Sequence, residues 1–293
     1  MNNNLHYSSG TASLTGDRRN NQDRCIVLES GGALLLGLAD GMGGHPRGEM
    51  AAQILIDSCN RLLQGTAKPI LDPGGFLLRI LGEAHEEIQV FGLAQKPVID
   101  PRTTAVVALI QNDTAYWAHA GDSRLYLLRN GEPLARTTDH SYVERLRQQG
   151  IISDQQSQSH PQRNFVTRCL GGSGPLPEIE IEAHAVQAGD TLMLCSDGLW
   201  SAIDQELMGD ALCGSMPLPE AVQALAEEAT QASYPESDNT TLIAVRLEAS
   251  PQQGRLQDSA PGAARIDNSL DQAIADLQRA IDNFQNEQKK EQQ

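Results

Sequence analysis

Gly32 to Ala39 is a continuous apolar run. A run of this length bounded by turn residues reads as a buried strand. It stops at Asp40-Gly41-Met42-Gly43-Gly44, a turn-forming segment that leaves a carboxylate at the mouth of the strand. Partners for such a strand are visible downstream. Thr103–Ile110 and Thr114–Ala120 flank Asn112-Asp113, and Arg124–Leu128 meets Asn130-Gly131, both hairpin signals. Thr191–Cys195 and Thr240–Leu247 read as further strands. Between them, apolar residues at helical spacing predict helices over Arg47–Gln64, Gly75–Leu93 and Pro217–Ser233. Ser141–Gly172 is polar and irregular, a short helix followed by a loop. Hairpin strands with helices set apart in sequence predict an α+β fold of antiparallel sheets covered by helices.

Composition shifts divide the chain. The expected organisation is an N-terminal extension over 1–12, a main domain over 13–248, a flexible Pro/Gln/Ser/Gly/Ala linker over 249–267 and a C-terminal amphipathic helix over 268–290. In that helix Leu270, Ile274, Leu277, Ile281 and Phe284 follow the a/d spacing of a coiled-coil seam. A lone helix of this length is marginal in water, so the stripe wants a partner: its own domain, a second copy or another chain.

Charge narrows the functional classes. There are 38 Asp and Glu against 22 Lys and Arg, a net charge of −16. Such a surface repels nucleic acid and anionic lipid. It would repel a phosphorylated substrate too, unless bound divalent cations invert the charge locally. Cys25, Cys59, Cys169, Cys195 and Cys213 are scattered, with no C-x-x-C pair. That pattern suggests neither a zinc site nor a disulfide framework, and fits a reducing compartment. No basic-then-apolar leader opens the chain and no apolar run is long enough to span a bilayer. A cytoplasmic, non-membrane protein is expected.

The chemistry-bearing residues are carboxylates. Asp40 precedes Gly41, Asp122 follows Gly121, Asp197 precedes Gly198 and Asp238 precedes Asn239, each beside an apolar strand. Glycine beside an aspartate lets backbone or ligand approach closely. Singly, each pair is an ordinary turn; four beside buried strands point to a shared site. Several carboxylates with a carbonyl and waters make the octahedral oxygen site that Mg²⁺ and Mn²⁺ prefer. Two such ions roughly 3.5–4 Å apart can clamp a phosphoryl group.

These residues lie in segments that resemble the type 2C (PPM) metal-dependent protein serine/threonine phosphatases in their bacterial form. In order, the segments are Gly16–Asp23, Ala39–Gly44, Thr103-Thr104, Ala120–Arg124, Thr138–Ser141, His160–Asn164, Thr167–Gly171, Ser196–Trp200 and Ser237–Thr240. The resemblance covers Ser13 to Leu247. It implies a central antiparallel β-sandwich flanked by helices on both faces, with metal ions in a cleft at one end. It implies two core Mn²⁺ or Mg²⁺ ions and a third, weaker one. Asp40 would bridge the core ions, with the Gly41 carbonyl as a further ligand. Asp197 and Asp238 would complete one ion. Gln22, where many relatives have Glu, would reach the second through water. Asp23 and Asn239 would support the ligands from behind, and Asp122 would hold the third ion with Asp197. Arg18 falls at the family's phosphate-binding arginine, with Arg19 the competing candidate.

The implied reaction is direct attack of a metal-bridging hydroxide on the phosphorus of phosphoserine or phosphothreonine, opposing a Ser/Thr kinase in signalling. Met42 stands where many eukaryotic relatives carry a His proposed to protonate the leaving alcohol, and His45 lies nearby. Ser141–Gly172 corresponds to the region of the family's flap. His160, Trp117 and Trp200 read as structural. Two rivals keep the carboxylates: an inactive phosphoprotein-binding module, and a hydrolase of phosphodiesters or small phosphates. Turnover of a phosphopeptide against a nucleotide panel separates all three.

Overall fold

The computed structural model describes residues 6–249. The predicted C-terminal helix and most of the linker lie outside these residues. The sheet begins earlier than the motifs suggest. Tyr7–Leu14 forms β1 and pairs antiparallel with the last strand, from Tyr7 opposite Leu247 to Leu14 opposite Thr240. Residues 7–12, assigned above to an extension, therefore belong to the domain.

β2 (Asp23–Ser30) and β3 (Ala33–Asp40) form a hairpin, followed by helices α1 (Gly48–Gly65) and α2 (Pro73–Ala94). The Asp72 carboxylate caps α2 by accepting from the Gly75 N–H at 2.9 Å. Next come β4 (Arg102–Thr103), β5 (Ala105–Gln111), β6 (Thr114–Ala120), β7 (Arg124–Arg129) and β8 (Glu132–Arg136). The predicted strand Thr103–Ile110 is thus broken at Thr104, whose N–H donates to the Asp40 carbonyl at 2.9 Å. Both hairpin turns are present, with positive φ at Asn112, Asp113, Asn130 and Gly131.

Two short helices, α3 (Tyr142–Gln148) and α4 (Asp154–Gln158), precede β9 (Leu170–Gly171), β10 (Ile181–Ala185) and β11 (Thr191–Cys195). The chain closes with α5 (Asp197–Trp200), α6 (Gln205–Cys213), α7 (Leu218–Ala232) and β12 (Thr240–Leu247).

Two five-stranded antiparallel sheets result, ordered β1-β12-β11-β7-β8 and β10-β6-β5-β3-β2. The apolar run explains itself in β3. Leu34, Leu36 and Leu38 share one buried cluster with Leu125, Leu192, Leu194, Ile243 and Val245 of the other sheet. The alternate residues Leu35 and Ala39 pack with Leu55, Leu63, Leu77 and Ile80 of α1 and α2. A strand apolar on both faces must be buried on both. A third cluster joins Met193, Cys195 and Leu242 to Met208, Leu212, Val222 and Leu225 of α6 and α7.

Leu36 is fully buried between residues of both sheets. Leu36→Ala is expected to lower the unfolding free energy by roughly 2–5 kcal/mol in a urea titration. A loss under about 1 kcal/mol would show that the two sheets do not share a tightly packed core.

Candidate active site

Register brings the four aspartates to one end of the two sheets. Asp40 is the last residue of β3 and stands opposite Asp23, the first of β2. Asp197 lies two residues beyond β11, whose last residue Cys195 pairs with Arg124 of β7 and Leu242 of β12. Asp238 lies two residues before β12, and Asp122 lies in the turn that carries the chain from β6 in one sheet to β7 in the other.

Close backbone approaches fix this end. A Cβ on Gly41 would fall 2.4 Å from the Gly48 carbonyl and 2.8 Å from that of Gln22. A Cβ on Gly198 would fall 2.2 Å from the Asn239 carbonyl. Only glycine fits at either place, so the Asp-Gly pairs are more than turns. Asp40 is held through its backbone: its N–H donates to Thr104 Oγ1 at 3.0 Å, and its carbonyl accepts from Thr103 Oγ1 at 2.9 Å. Asn239 ties the first motif to the last, accepting from the Gln22 N–H at 2.8 Å and donating to the Thr15 and Asn20 carbonyls.

The electrostatics are those of crowded, desolvated like charges. Burial pushes the Asp40 carboxyl well above the usual range, reinforced by Asp23, Asp197, Asp122 and Asp238. Asp197 is raised in the same way, by burial and then by Asp122, Asp238 and Asp23. Burial lifts Asp23 and Asp122 to about 6 each. Asp23 Oδ2 accepts from Ser196 Oγ at 2.7 Å, while its buried Oδ1 has no donor. Carboxylates this close cannot all ionise without positive charge between them.

A hard divalent cation meets that need, and the donors fit it. All are oxygens: carboxylates, the Gly41 carbonyl and the Gln22 amide. As the side chains stand, no three His, Cys, Asp or Glu among the described residues form a closed ion site. Mg²⁺-type ions commonly bind through one or two carboxylates and keep several waters, so such a set suffices.

The remaining candidates fall around this centre. Arg18 is exposed, and its Nη2 donates to Asp238 Oδ2 at 2.6 Å. Arg19 has no carboxylate partner among the described residues. His45 is turned toward Asp100, with Nδ1 4.0 Å from Oδ2. The His160 ring accepts from the Gln162 N–H at 3.1 Å, in line with a structural role.

Trp117 is core as expected, but Trp200 is not simply core. Its Nε1 donates to the Asp122 carbonyl at 2.9 Å, and the Arg124 guanidinium lies 3.6 Å over its ring. Arg124 in turn forms a bidentate pair with Asp139, both bonds 2.8 Å. His140 grips the other side of this turn. Its N–H donates to the Gly121 carbonyl at 2.8 Å and its Nδ1 accepts from the Gly121 N–H at 3.3 Å. Sequence reasoning quoted Asp139 and His140 within a motif without giving them work. Only the fold shows that they brace the Asp122 turn.

The protein phosphatase 2C family profile matches residues 12–232, stopping short of Asp238. The serine/threonine protein phosphatase PstP of Mycobacterium tuberculosis is 35% identical over 232 residues, which cover 77% of this chain and 42% of that protein. This chain thus spans less than half of that relative's length. A serine/threonine phosphatase, stp, of Listeria monocytogenes is 30% identical over 243 residues, covering 81% of this chain and 94% of the relative. Among solved structures, the catalytic domain of PstP in complex with two manganese ions aligns with a TM-score of 0.69 at 28% identity, covering 83% of this chain and 99% of that one. The chain belongs to the protein phosphatase 2C family.

His140 offers a pH test of the brace. Burial, with His119 and Arg168 beside it, lowers its pKa to about 3. A histidine held neutral in the fold but free to protonate when unfolded stabilises fully above the unfolded value near 6.5. That stability is lost as pH falls from there toward about 3. In this window His140→Asn is expected to flatten the stability slope by up to about 1.4 kcal/mol per pH unit relative to the parent chain. Parallel slopes in urea titrations would show that the imidazole is not held neutral.

Proposed function

We propose that this chain hydrolyses phosphoserine and phosphothreonine in proteins with the help of Mn²⁺ or Mg²⁺. The observation that carries the reading is the convergence of Asp40, Asp122, Asp197 and Asp238 from both sheets in a member of this family. Asp40, Asp197, Asp238 and the Gly41 carbonyl are the proposed direct ligands of two core ions. Gln22 would contact the second through water, and Asp122 with Asp197 would hold a weaker third. When bound, these ions supply an acidified water as nucleophile and neutralise charge on the phosphoryl oxygens.

The chain's own residues do the rest. Asp23 accepts the Ser196 hydroxyl on one oxygen, leaves the other without a donor, and stands opposite Asp40 in the strand pair, a post from which it would orient water. Arg18 offers a planar fork to two phosphate oxygens. Its pair with Asp238 is largely exposed and worth under about 1 kcal/mol, so a dianionic phosphate can displace it. Thiol catalysis is not supported: burial pushes Cys25 to about 11 and both Cys59 and Cys195 to about 12.

The segment between His140 and Thr167 closes on itself, with the Thr167 N–H donating to the His140 carbonyl at 2.7 Å and the Tyr142 N–H to that of Phe165 at 2.8 Å. This supports the reading of a flap rooted beside the Asp122 turn. The three buried clusters support an α-β-β-α sandwich, helices outside and sheets inside. Among the described residues no helix is long and apolar enough to cross a membrane. We further place the protein in the cytoplasm, opposing a Ser/Thr kinase, with its C-terminal segment available to dock a partner chain.

Phosphothreonine-peptide turnover should require added Mn²⁺ or Mg²⁺ and vanish with chelator, while a nucleotide panel stays inert. Asp40→Asn and Asp197→Asn should each lower kcat by about 10²-fold or more with the fold retained by circular dichroism. Near-parent rates in either variant would remove that residue from the site.

Arg18→Ala should chiefly raise the KM for the peptide and weaken inhibition by inorganic phosphate, with a smaller loss of kcat. The same signature in Arg19→Ala, and not in Arg18→Ala, would transfer the role to Arg19.

A further inference from the structure

The two core ions of the proposed site are unequally provided for. The first would draw on Asp40, Asp197 and Asp238. The second would share Asp40 and otherwise meet the Gly41 carbonyl and the Gln22 amide, neither of which carries charge. A divalent cation in so weakly charged a setting binds poorly unless another anion stands close.

The start of α1 brings one there. Gly48, its first residue, is pressed against Gly41, and a Cβ on Gly48 would fall 2.8 Å from both the Gly41 carbonyl carbon and Gln22 Nε2. A Cβ on Gly43 would fall 3.2 Å from Gln22 Oε1, so the amide is wedged between the Gly41–Gly44 loop and the helix start. The next helical residue is Glu49. Its Oε2 lies 3.5 Å from Gln22 Nε2, and its other oxygen pairs with Arg47 at 3.0 Å. The Arg47 side chain is 57% exposed, so that pair is cheap to exchange. Glu49 itself is half-buried, and its carboxylate is the one that the Gln22 amide contacts.

We propose that Glu49 is a positioning residue that supplies the second ion's setting with the negative charge Gln22 lacks, acting through the Gln22 amide and the water shell. This rests on the two-ion reading above. The amide fixes the carboxylate's place, and the carboxylate fixes which end of the amide is the nitrogen. Gln22 Oε1 is thereby left free to accept from water.

Isothermal titration of Mn²⁺ into the full chain tests this without any substrate. At least two Mn²⁺ should bind the parent, with any third at the Asp122 site weaker than both; fewer than two would sink the two-ion reading itself, independently of Glu49. Given two, Glu49→Gln should weaken the weaker of the two tighter affinities about tenfold and leave the tightest within twofold. Gln22→Glu in the Glu49→Gln background should restore it, because the charge returns one side chain away. If Glu49 serves only the helix end and Arg47, Glu49→Gln will lower the melting temperature in chelator yet leave both affinities alone, which overturns the proposal. A loss that Gln22→Glu fails to restore overturns it too. Should Glu49→Gln not fold, Glu49→Asp decides, because the shorter side chain keeps the helix-end charge but withdraws it from the Gln22 amide. It should weaken the same site and shrink the rise in melting temperature on adding Mn²⁺, and no change in either refutes the inference.

Discussion

Like charges crowded together at one end of the two sheets are the constraint around which this domain is built. Asp40 ends a strand of one sheet and Asp197 follows a strand of the other, yet the fold brings both among the same neighbouring aspartates. Repulsion and desolvation both oppose that meeting, and both raise the two carboxyls far above the ordinary carboxylate range. Something rigid must hold them. The buried cluster shared by the sheets does so at a distance, with Leu36, Leu38, Leu192 and Leu194 fully buried a few residues upstream of the two aspartates. Close-packed cores transmit such strain instead of yielding to it.

The chain also holds its site by closing on itself. β1 and β12 come from opposite ends of the domain and pair over their full length. Just beyond the pair, the Asp17 N–H donates to the Ser237 carbonyl at 3.0 Å and the Ser237 hydroxyl donates to Asp17 Oδ2 at 2.8 Å. That clasp puts Arg18 beside Asp238 and Asn239 beside Gln22. The arginine proposed to bind phosphate and the last of the proposed metal ligands are thus positioned by one strand pair, although 220 residues separate them.

β3, α1, α2, α7 and the two hairpins were legible because their signals are local: an apolar run, a helical period, a turn dipeptide. β1 was not. Its sequence, YSSGTASL, lacks the apolar alternation of a half-buried strand, and its place is set by pairing with β12. β2 and β10 were missed for the same reason, as partly buried outer strands beside β3 and β6. The aspartates were visible as Asp-Gly and Gly-Asp pairs against apolar runs. Trp200, Asp139 and His140 were not assigned to the site, because bracing a backbone carbonyl or N–H leaves no mark in sequence spacing. Glu49 has a faint one: an acidic residue in the first turn of a helix is usually explained by the helix dipole alone.

An acidic chain that must gather an anion faces a conflict that the local geometry addresses. With a net charge of −16, long-range steering works against a phosphoprotein. Screening limits that repulsion to about 8 Å at physiological salt, so what counts is the charge within one Debye length of the cleft. There the proposed ions would offset the aspartates, and Arg18 stands exposed at the rim with its fork on Asp238. A ligand of the proposed first ion is thus also the arginine's partner. On the proposed reading, an Asp238 drawn onto a cation would loosen its hold on the guanidinium, so that filling the site would also free the arginine for phosphate. The same exchange works in reverse at Glu49, whose pair with Arg47 is as exposed as that of Arg18. On both sides of the proposed centre an exposed arginine pairs with a carboxylate that the proposals assign to the ions' surroundings.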